Sequence, residues 1–246
     1  MLLKENMEKS GEFLFSWRGY LPLIFLLAVF VTMYFDEKLL PFRETNDLSW
    51  PLVCVFVGCI GIVIRLFAVS FVPYGNSGRG TDKPYASSLN TTGMYSVMRN
   101  PVYFGNFFTF LAPVMYAQNF LLILLYIPVF ALYHERIIMA EEKFLLGKFG
   151  SEYKEWADRT PAFFPEFSKW RNPDMRFCWR TAYRRESISL FTLVATIWGL
   201  EVVYDFLYYN NFVLDVPFSM LLAISAMFFI ANCILVRYTK VLDVNR

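Results

Sequence analysis

The chain has 246 residues, of which 57% are hydrophobic and 20% aromatic, and its mean hydropathy is +0.40. This composition argues against a soluble domain, and a net charge of only +2 provides no basic field for a nucleic acid. The single histidine, His134, argues against membrane oxidases and haem proteins that need several imidazoles. The four cysteines lack zinc-site spacing, so neither a bound metal nor a disulfide is expected.

Long apolar runs divide the chain into predicted membrane helices. The N-terminal stretch MLLKENMEKSGEF lacks the pattern of a signal peptide, so the first run is expected to be retained. A helix that crosses the hydrocarbon needs about 20 apolar residues. The expected spans are 17–35, 50–72, two short helices within 101–133, 188–207 and 216–236. The sequence therefore predicts an all-α integral membrane protein with about six transmembrane helices, two of them forming a tight hairpin around the pause AQN.

Lysine and arginine are distributed unevenly between the two sides of these spans. Twenty lie in the N-terminal arm, the 73–100 loop, the 135–186 segment and the tail, whereas only Lys38 and Arg43 lie in the opposite connections. Because basic loops favour the cytoplasm, both termini and both long polar segments are expected there. The remaining basic residue, Arg65, falls inside the second span.

The two long polar segments flank the hairpin where it enters and leaves the membrane. The 73–100 loop and the 135–186 segment are therefore expected to meet and form a cytoplasmic pocket at the membrane surface. The predicted organisation is a two-span region over 1–72, a core over 73–186 and a second two-span region over 187–246.

The stretch TTGMYSVMRNPVYFGN, just before the hairpin, has two interpretations. Arg99 and the neighbouring tyrosines, Tyr95 and Tyr103, could anchor a helix start at the membrane interface. The same residues also suit a ligand site, because an Asn-Pro break leaves free backbone groups at a helix N-terminus. Gly105 would allow close backbone approach, and tyrosine rings pack against cations.

The stretch HERIIMAEEKFLLGKFG, after the hairpin, contains adjacent carboxylates. Glu141 and Glu142 lie at the margin of an apolar helical stripe, where a carboxylate beside lipid needs a partner. One possibility is an ion pair with Arg136 or Lys143. The other is a role in binding the hydroxyl groups or the ammonium of a ligand.

Together, GMYSVMRNPVYFGN and EEKFLLGKFGSEYKEW resemble the isoprenylcysteine carboxyl methyltransferase and phospholipid methyltransferase family. Its members are polytopic membrane enzymes that use S-adenosylmethionine. The family signature reads G-x-Y, three residues, R-H-P-x-Y-x-G, a helical hairpin, and E-E-x-x-L-x(3)-F-G-x-x-Y. The resemblance covers roughly residues 89–165, and two motifs separated by a hairpin are more specific than either alone.

The resemblance implies an S-adenosylmethionine pocket built from both motifs. The implied cofactor contacts are Leu89, Asn90, Tyr95, Asn100, Pro101, Val102, Tyr103 and Glu141. Asn100 replaces the family's usual histidine, and its amide can form hydrogen bonds but cannot act as a base. Ile137 stands where the prenylcysteine enzymes carry a substrate-binding arginine, which weakens the case for a prenylcysteine carboxylate as acceptor.

The implied chemistry is direct displacement at the sulfonium methyl, in which the protein mainly positions the two reactants. Arg99 is expected to position an anionic group, and Glu142 is the candidate general base for an amine acceptor. Arg79, in a glycine-rich loop, and Arg136 are the expected substrate-binding residues. The favoured acceptor is the polar head of a membrane lipid or lipid-anchored molecule, either phosphate-bearing and lipid A-like or a phospholipid headgroup.

Three other functions stay open at this point: an isoprenylcysteine-type carboxyl O-methyltransferase, an NADPH-dependent membrane reductase, and a non-enzymatic membrane scaffold. No nucleic-acid partner is expected. The predicted location is the bacterial inner membrane, crossed several times, with the active site on the cytoplasmic side.

Overall fold

The computed structural model describes residues 3–35, 48–73, 85–210 and 215–243. Its helices are α1 (Leu3–Trp17), α2 (Leu21–Phe35), α3 (Ser49–Ser70), α4 (Met94–Val97), α5 (Pro101–Tyr116), α6 (Phe120–Phe149), α7 (Ser151–Arg159), α8 (Trp179–Tyr209) and α9 (Val216–Tyr238). A short 3-10 helix covers Phe167–Lys169. No strand occurs within these described ranges, so the all-α prediction is confirmed.

Four helices, α3, α6, α8 and α9, are long and apolar enough to cross a membrane. Helices α1 and α2 add a fifth span if they count as one element, which is bent by 77° at the break between them. Helix α5 has 16 residues, or about 24 Å at 1.5 Å per residue, against a hydrocarbon core about 30 Å thick. The described residues thus contain four or five candidate spans, and the sixth stays a prediction.

The predicted hairpin is present, but its second arm is longer than the sequence suggested. The side chain of Asn119 begins α6 by accepting a hydrogen bond from the backbone N–H of Leu122 at 2.9 Å. The helix does not end near residue 133 but continues to Phe149, which gives it a total length of 30 residues. Because α6 is continuous, Glu141 and Glu142 lie at the polar end of the same helix that forms the candidate span.

Helix α8 also begins earlier than predicted, at Trp179 rather than near residue 188. The predicted region boundary after residue 186 therefore falls within a continuous helix. The backbone N–H of Cys178 donates to the carbonyl of Ser70 at 3.0 Å, which ties the start of α8 to the end of α3. Arg185 and Glu186 therefore lie on the same continuous helix as the predicted span 188–207.

Helix α3 packs between α5 and α8, and glycines allow the close approach. A Cβ atom added at Gly61 would lie 2.3 Å from the carbonyl oxygen of Gly105. One added at Gly58 would lie 2.5 Å from the side chain of Leu193 on α8. Since lipid provides no hydrophobic driving force between helices, such close packing is the main source of association.

Helix α1 lies against the polar end of α6. The ammonium of Lys143 is 2.9 Å from a carboxylate oxygen of Glu8, and the hydroxyl of Tyr133 donates to the carbonyl of Leu14 at 3.1 Å. The turn that follows α1 carries Arg18 to the same end of α6.

Candidate functional site

A cavity of about 410 Å³ lies where α5, α6 and the 85–100 segment meet. Its volume falls within the range of about 300–1,000 Å³ that is usual for small-molecule sites. Its lining includes Arg99 and all eight residues that the resemblance assigned to the cofactor: Leu89, Asn90, Tyr95, Asn100, Pro101, Val102, Tyr103 and Glu141. The structure therefore gathers residues from both sides of the hairpin into one concave surface.

Hydrogen bonds hold the 85–100 segment against the chain that follows α6. The backbone N–H of Arg99 donates to the carbonyl of Pro161 at 2.8 Å. The indole N–H of Trp156, on α7, donates to the carbonyl of Tyr95 at 3.1 Å. Both polar segments thus contribute to one wall of the site.

Asn100 and the first turn of α5 form a second part of the wall. The amide of Asn100 donates to the carbonyl of Ala162 at 2.9 Å, so this side chain also fixes the neighbouring loop. Pro101 is the first residue of α5, where its missing N–H is not needed by the helix. The N–H groups of Val102 and Tyr103 lie in the first turn and have no acceptor within the helix.

Glu141 is one of the carboxylates that line the cavity, and side chains from two other elements contact it. The hydroxyl of Tyr103 donates to Glu141 Oε1 at 2.9 Å. Arg18 Nη1 lies 3.6 Å from the same oxygen, and its guanidinium stacks 3.8 Å from the ring centroid of Phe15. A carboxylate has about four lone-pair sites, so Glu141 retains capacity to accept hydrogen bonds from a ligand.

Tyr95 contributes a neutral phenol to the cavity. Burial raises the pKa of Tyr95 to about 12, the negative charge of Glu141 raises it as well, and Arg185 lowers it. The hydroxyl is therefore protonated at physiological pH and can serve as a hydrogen-bond donor.

Arg99 and Glu142 form an ion pair beside the cavity, with an Nη1–Oε1 distance of 2.7 Å. Tyr153 adjoins the pair. Burial raises the pKa of its phenol well above the ordinary range, and the negative charge of Glu142 raises this pKa as well. Arg99 lines the cavity, whereas Glu142 is not part of the lining. The predicted general base is thus placed to orient Arg99, and its catalytic role stays a prediction.

Of the two predicted substrate-binding residues, Arg136 lies away from the cavity and Arg79 cannot be placed. Arg136 is not part of the cavity lining, and its guanidinium donates instead to Ser10 on α1 at 3.4 Å. Neighbouring residues on a helix point about 100° apart, and Ile137, next to Arg136, is fully buried. Arg79 lies outside the described residues.

The cavity lining also includes Arg65, Arg185 and Glu186, which lie outside both motifs, and Asn106, the last residue of the first motif stretch. Arg65 donates to Asn106 Oδ1 at 2.6 Å and to Glu186 Oε1 at 3.1 Å. The sequence did contain one signal for this group, because a basic residue inside an apolar span is usually functional. Glu186 gave none, since it lies in the run RTAYRRES before the predicted span. In the ranges that the structure describes, no group of three or more His, Cys, Asp and Glu residues is placed to hold a metal ion.

Comparison with known proteins gives a family and two relatives. The family model described as "Phospholipid methyltransferase" matches residues 53–152. The cobalt-zinc-cadmium resistance protein CzcN of Cupriavidus metallidurans is 30% identical over 167 residues, which cover 65% of this chain and 69% of the relative. The nickel-cobalt-cadmium resistance protein NccN of Alcaligenes xylosoxydans xylosoxydans is 32% identical over 120 residues, or 47% of this chain and 52% of the relative. No solved structure matches.

The matched region begins in α3, contains the motif segment and the hairpin, and ends in α7, so it includes most of the cavity wall. The family match and the resemblance of the two motifs therefore rest on the same part of the molecule. The chain belongs to the isoprenylcysteine carboxyl methyltransferase and phospholipid methyltransferase family of membrane proteins.

Proposed function

We propose that the protein is an S-adenosylmethionine-dependent methyltransferase that modifies the polar head of a membrane lipid. The observation that carries the proposal is the cavity, because every residue that the resemblance assigns to the cofactor lines it. The family match supports methyl transfer in a membrane, and the apolar helices α3 and α8 support direct access to lipid.

The residues of the cavity fit this cofactor. Glu141 would accept hydrogen bonds from ribose hydroxyls or from the amino group, while Tyr95 and Tyr103 would pack their rings against the sulfonium cation. The free N–H groups of Val102 and Tyr103, at the N-terminus of α5, would hold the carboxylate. When bound, S-adenosylmethionine supplies a methyl group on a positively charged sulfur.

Arg99 would position an anionic part of the acceptor, since a guanidinium forms strong paired hydrogen bonds with phosphate or carboxylate oxygens. Glu142 and Tyr153 would hold Arg99 in place. Arg79, in the loop before the motif, keeps its predicted role on the same head group.

The proposed acceptor is a phosphate-bearing or phospholipid headgroup, as the sequence suggested. The arginine that reads a prenylcysteine carboxylate is absent from position 137, where Ile137 is instead buried in the helix packing. The charge distribution supports a site on the cytoplasmic face of the bacterial inner membrane.

The names of the two relatives suggest a biological setting. Both are called resistance proteins for cobalt and cadmium, with zinc or nickel in addition. Methylation of a lipid head changes its charge or its hydrogen-bonding groups, which would alter the binding of divalent cations to the envelope. A deletion strain would then become more sensitive to these metals, and a catalytically dead variant would not restore tolerance.

A transfer assay tests the proposed reaction. The purified protein in lipid nanodiscs receives methyl-labelled S-adenosylmethionine, and the label is followed into extracted lipids and into a farnesylcysteine analogue. We expect label in a lipid and little in the analogue. Efficient labelling of the analogue alone would identify a carboxyl O-methyltransferase, and no transfer to either would contradict the proposal.

A further inference from the structure

Arg65 and Glu186 form a buried ion pair on the wall of the cavity. The Nη2–Oε1 distance is 3.1 Å, and the two side chains are only 16% and 6% exposed. Arg65 also donates to Asn106 Oδ1 at 2.6 Å and to Ser189 Oγ at 3.2 Å. The guanidinium is therefore fixed by partners on α5 and α8, and it holds Glu186 Oε1.

The other carboxylate oxygen of Glu186, Oε2, is buried and has no hydrogen-bond partner among the described residues. A buried carboxylate oxygen without a donor is unfavourable by about 1–3 kcal/mol or more. Glu186 lines the cavity, so a donor group of a bound molecule would satisfy Oε2.

The pair lies near the C-terminal end of α3, the end that the predicted topology places at the cytoplasmic surface. Arg65 is five residues before Ser70, the last residue of α3, which places it about 8 Å along the axis from the end of the helix. It also adjoins the proposed cofactor residues, because Asn106 follows Tyr103 by one turn on α5.

We infer that the Arg65–Glu186 pair binds the methyl acceptor. Glu186 Oε2 accepts a hydrogen bond from the N–H or O–H group that receives the methyl, and Arg65 is a positioning residue that fixes the carboxylate. This role favours a phospholipid headgroup whose attacked atom carries a hydrogen, either an amine or a hydroxyl, over the oxygen of an ionised lipid phosphate, which a carboxylate repels. A quaternary ammonium head has no such hydrogen and is not bound in this way. The inference rests on the proposed function for the reaction itself.

The transfer balances with these groups. Glu186 Oε2 first takes a proton from the acceptor ammonium or hydroxyl, because an ammonium nitrogen has no lone pair until it is deprotonated. The lone pair on the acceptor nitrogen or oxygen then forms a bond to the methyl carbon while the carbon–sulfur bond breaks. The electron pair of the broken bond stays on sulfur, which loses its positive charge, and Glu186 passes its proton to solvent.

Lipid retention tests the pair without relying on turnover. The protein is incubated in nanodiscs with equal parts of phosphatidylethanolamine, phosphatidylglycerol and phosphatidylcholine, and the lipids that remain bound after purification are quantified. The first variant is Glu186→Gln, which keeps the shape of the side chain. If this variant fails to fold, Glu186→Asp, which shortens the side chain, is measured in its place. Glu166→Gln is the matched control, because Glu166 is exposed, pairs with Lys169 and lies outside the cavity lining.

We expect the wild type to retain lipids with an amine or hydroxyl head in preference to phosphatidylcholine. In Glu186→Gln the ratio of these retained lipids to phosphatidylcholine should fall about tenfold. Binding of S-adenosylhomocysteine should be unchanged in Glu186→Gln, and the control should match the wild type in both measurements. The inference is overturned if the wild type shows no preference, if Glu186→Gln keeps it, or if lipid and S-adenosylhomocysteine affinity fall together. Failure of the wild type to bind S-adenosylhomocysteine or transfer methyl groups would instead contradict the proposed function, and the retention result would still decide the role of the pair.

Discussion

Gly105, a residue of the family motif, lies directly against the side chain of Arg65. A Cβ atom added at Gly105 would be 2.5 Å from Arg65 Cγ and 2.7 Å from the carbonyl oxygen of Gly61. The absence of a side chain here lets α3 and α5 approach and lets the stem of Arg65 cross α5 towards Asn106. The motif glycine is therefore required by helix packing and by the polar group that lines the cavity.

Gly105→Ala should destabilise the protein, because the new methyl group meets backbone on one side and a fixed arginine on the other. Overpacking of this kind costs about 1–3 kcal/mol. Gly199→Ala is the control, since a Cβ atom there meets nothing within 4 Å, and alanine is the better helix former by up to about 1 kcal/mol. Thermal unfolding in detergent should show a lower midpoint for Gly105→Ala only. Equal midpoints for the two variants would contradict the packing account.

Glu141→Gln should weaken cofactor binding while leaving the fold intact. The substitution keeps the shape and the contact with Tyr103 but removes the charge, so affinity should fall by the value of a charged hydrogen bond, about 1.5–3 kcal/mol. Titration with S-adenosylhomocysteine measures the change. Glu152→Gln, on the exposed face of α7, provides the control. An unchanged dissociation constant in a well-folded Glu141→Gln protein would refute the assignment.

Glu142→Gln should lower turnover more than cofactor affinity. Glu142 holds Arg99 at 2.7 Å but does not line the cavity, so its loss should release Arg99 without removing a cofactor contact. In a double-mutant cycle with Arg99→Gln, the two effects on kcat should be coupled by about 0.5–3 kcal/mol. Additive effects on kcat, or a fall in cofactor affinity as large as that of Glu141→Gln, would show that Glu142 has another role.

Both termini should lie on the cytoplasmic side, because twenty of the lysines and arginines flank the spans on that side and two on the other. An engineered cysteine at Lys4 should resist a membrane-impermeant maleimide in intact cells and react after permeabilisation. A cysteine at Lys38 should react in intact cells. Labelling of the Lys4 position in intact cells would contradict the six-span topology.

The sequence predicted which residues of the two motifs line the cavity wall, because short signatures fix the local geometry around Asn100, Pro101 and Glu141. It could not predict that α6 continues unbroken to Phe149, since the charges of HERIIMAEEK resemble a membrane exit. It also counted the first short helix of the hairpin among the six spans, although α5 is shorter than the hydrocarbon is thick.

The polar group around Arg65 was the largest omission. Arg65 and Glu186 are separated by 121 positions, and no spacing rule connects residues that far apart. Only the packing of α3 against α8 brings them together. In the same way, the loss of Arg136 from the site depends on how α1 covers one face of α6, which the sequence pattern of α6 alone does not reveal.

The central claim is that the cavity binds S-adenosylmethionine, and calorimetry on the purified protein tests it most directly. The wild type is titrated separately with S-adenosylhomocysteine and with NADPH in the same detergent. We predict saturable binding of S-adenosylhomocysteine at one site per chain, weakened by Glu141→Gln, and no binding of NADPH. Binding of NADPH without S-adenosylhomocysteine would indicate a reductase, and binding of neither compound would contradict the account.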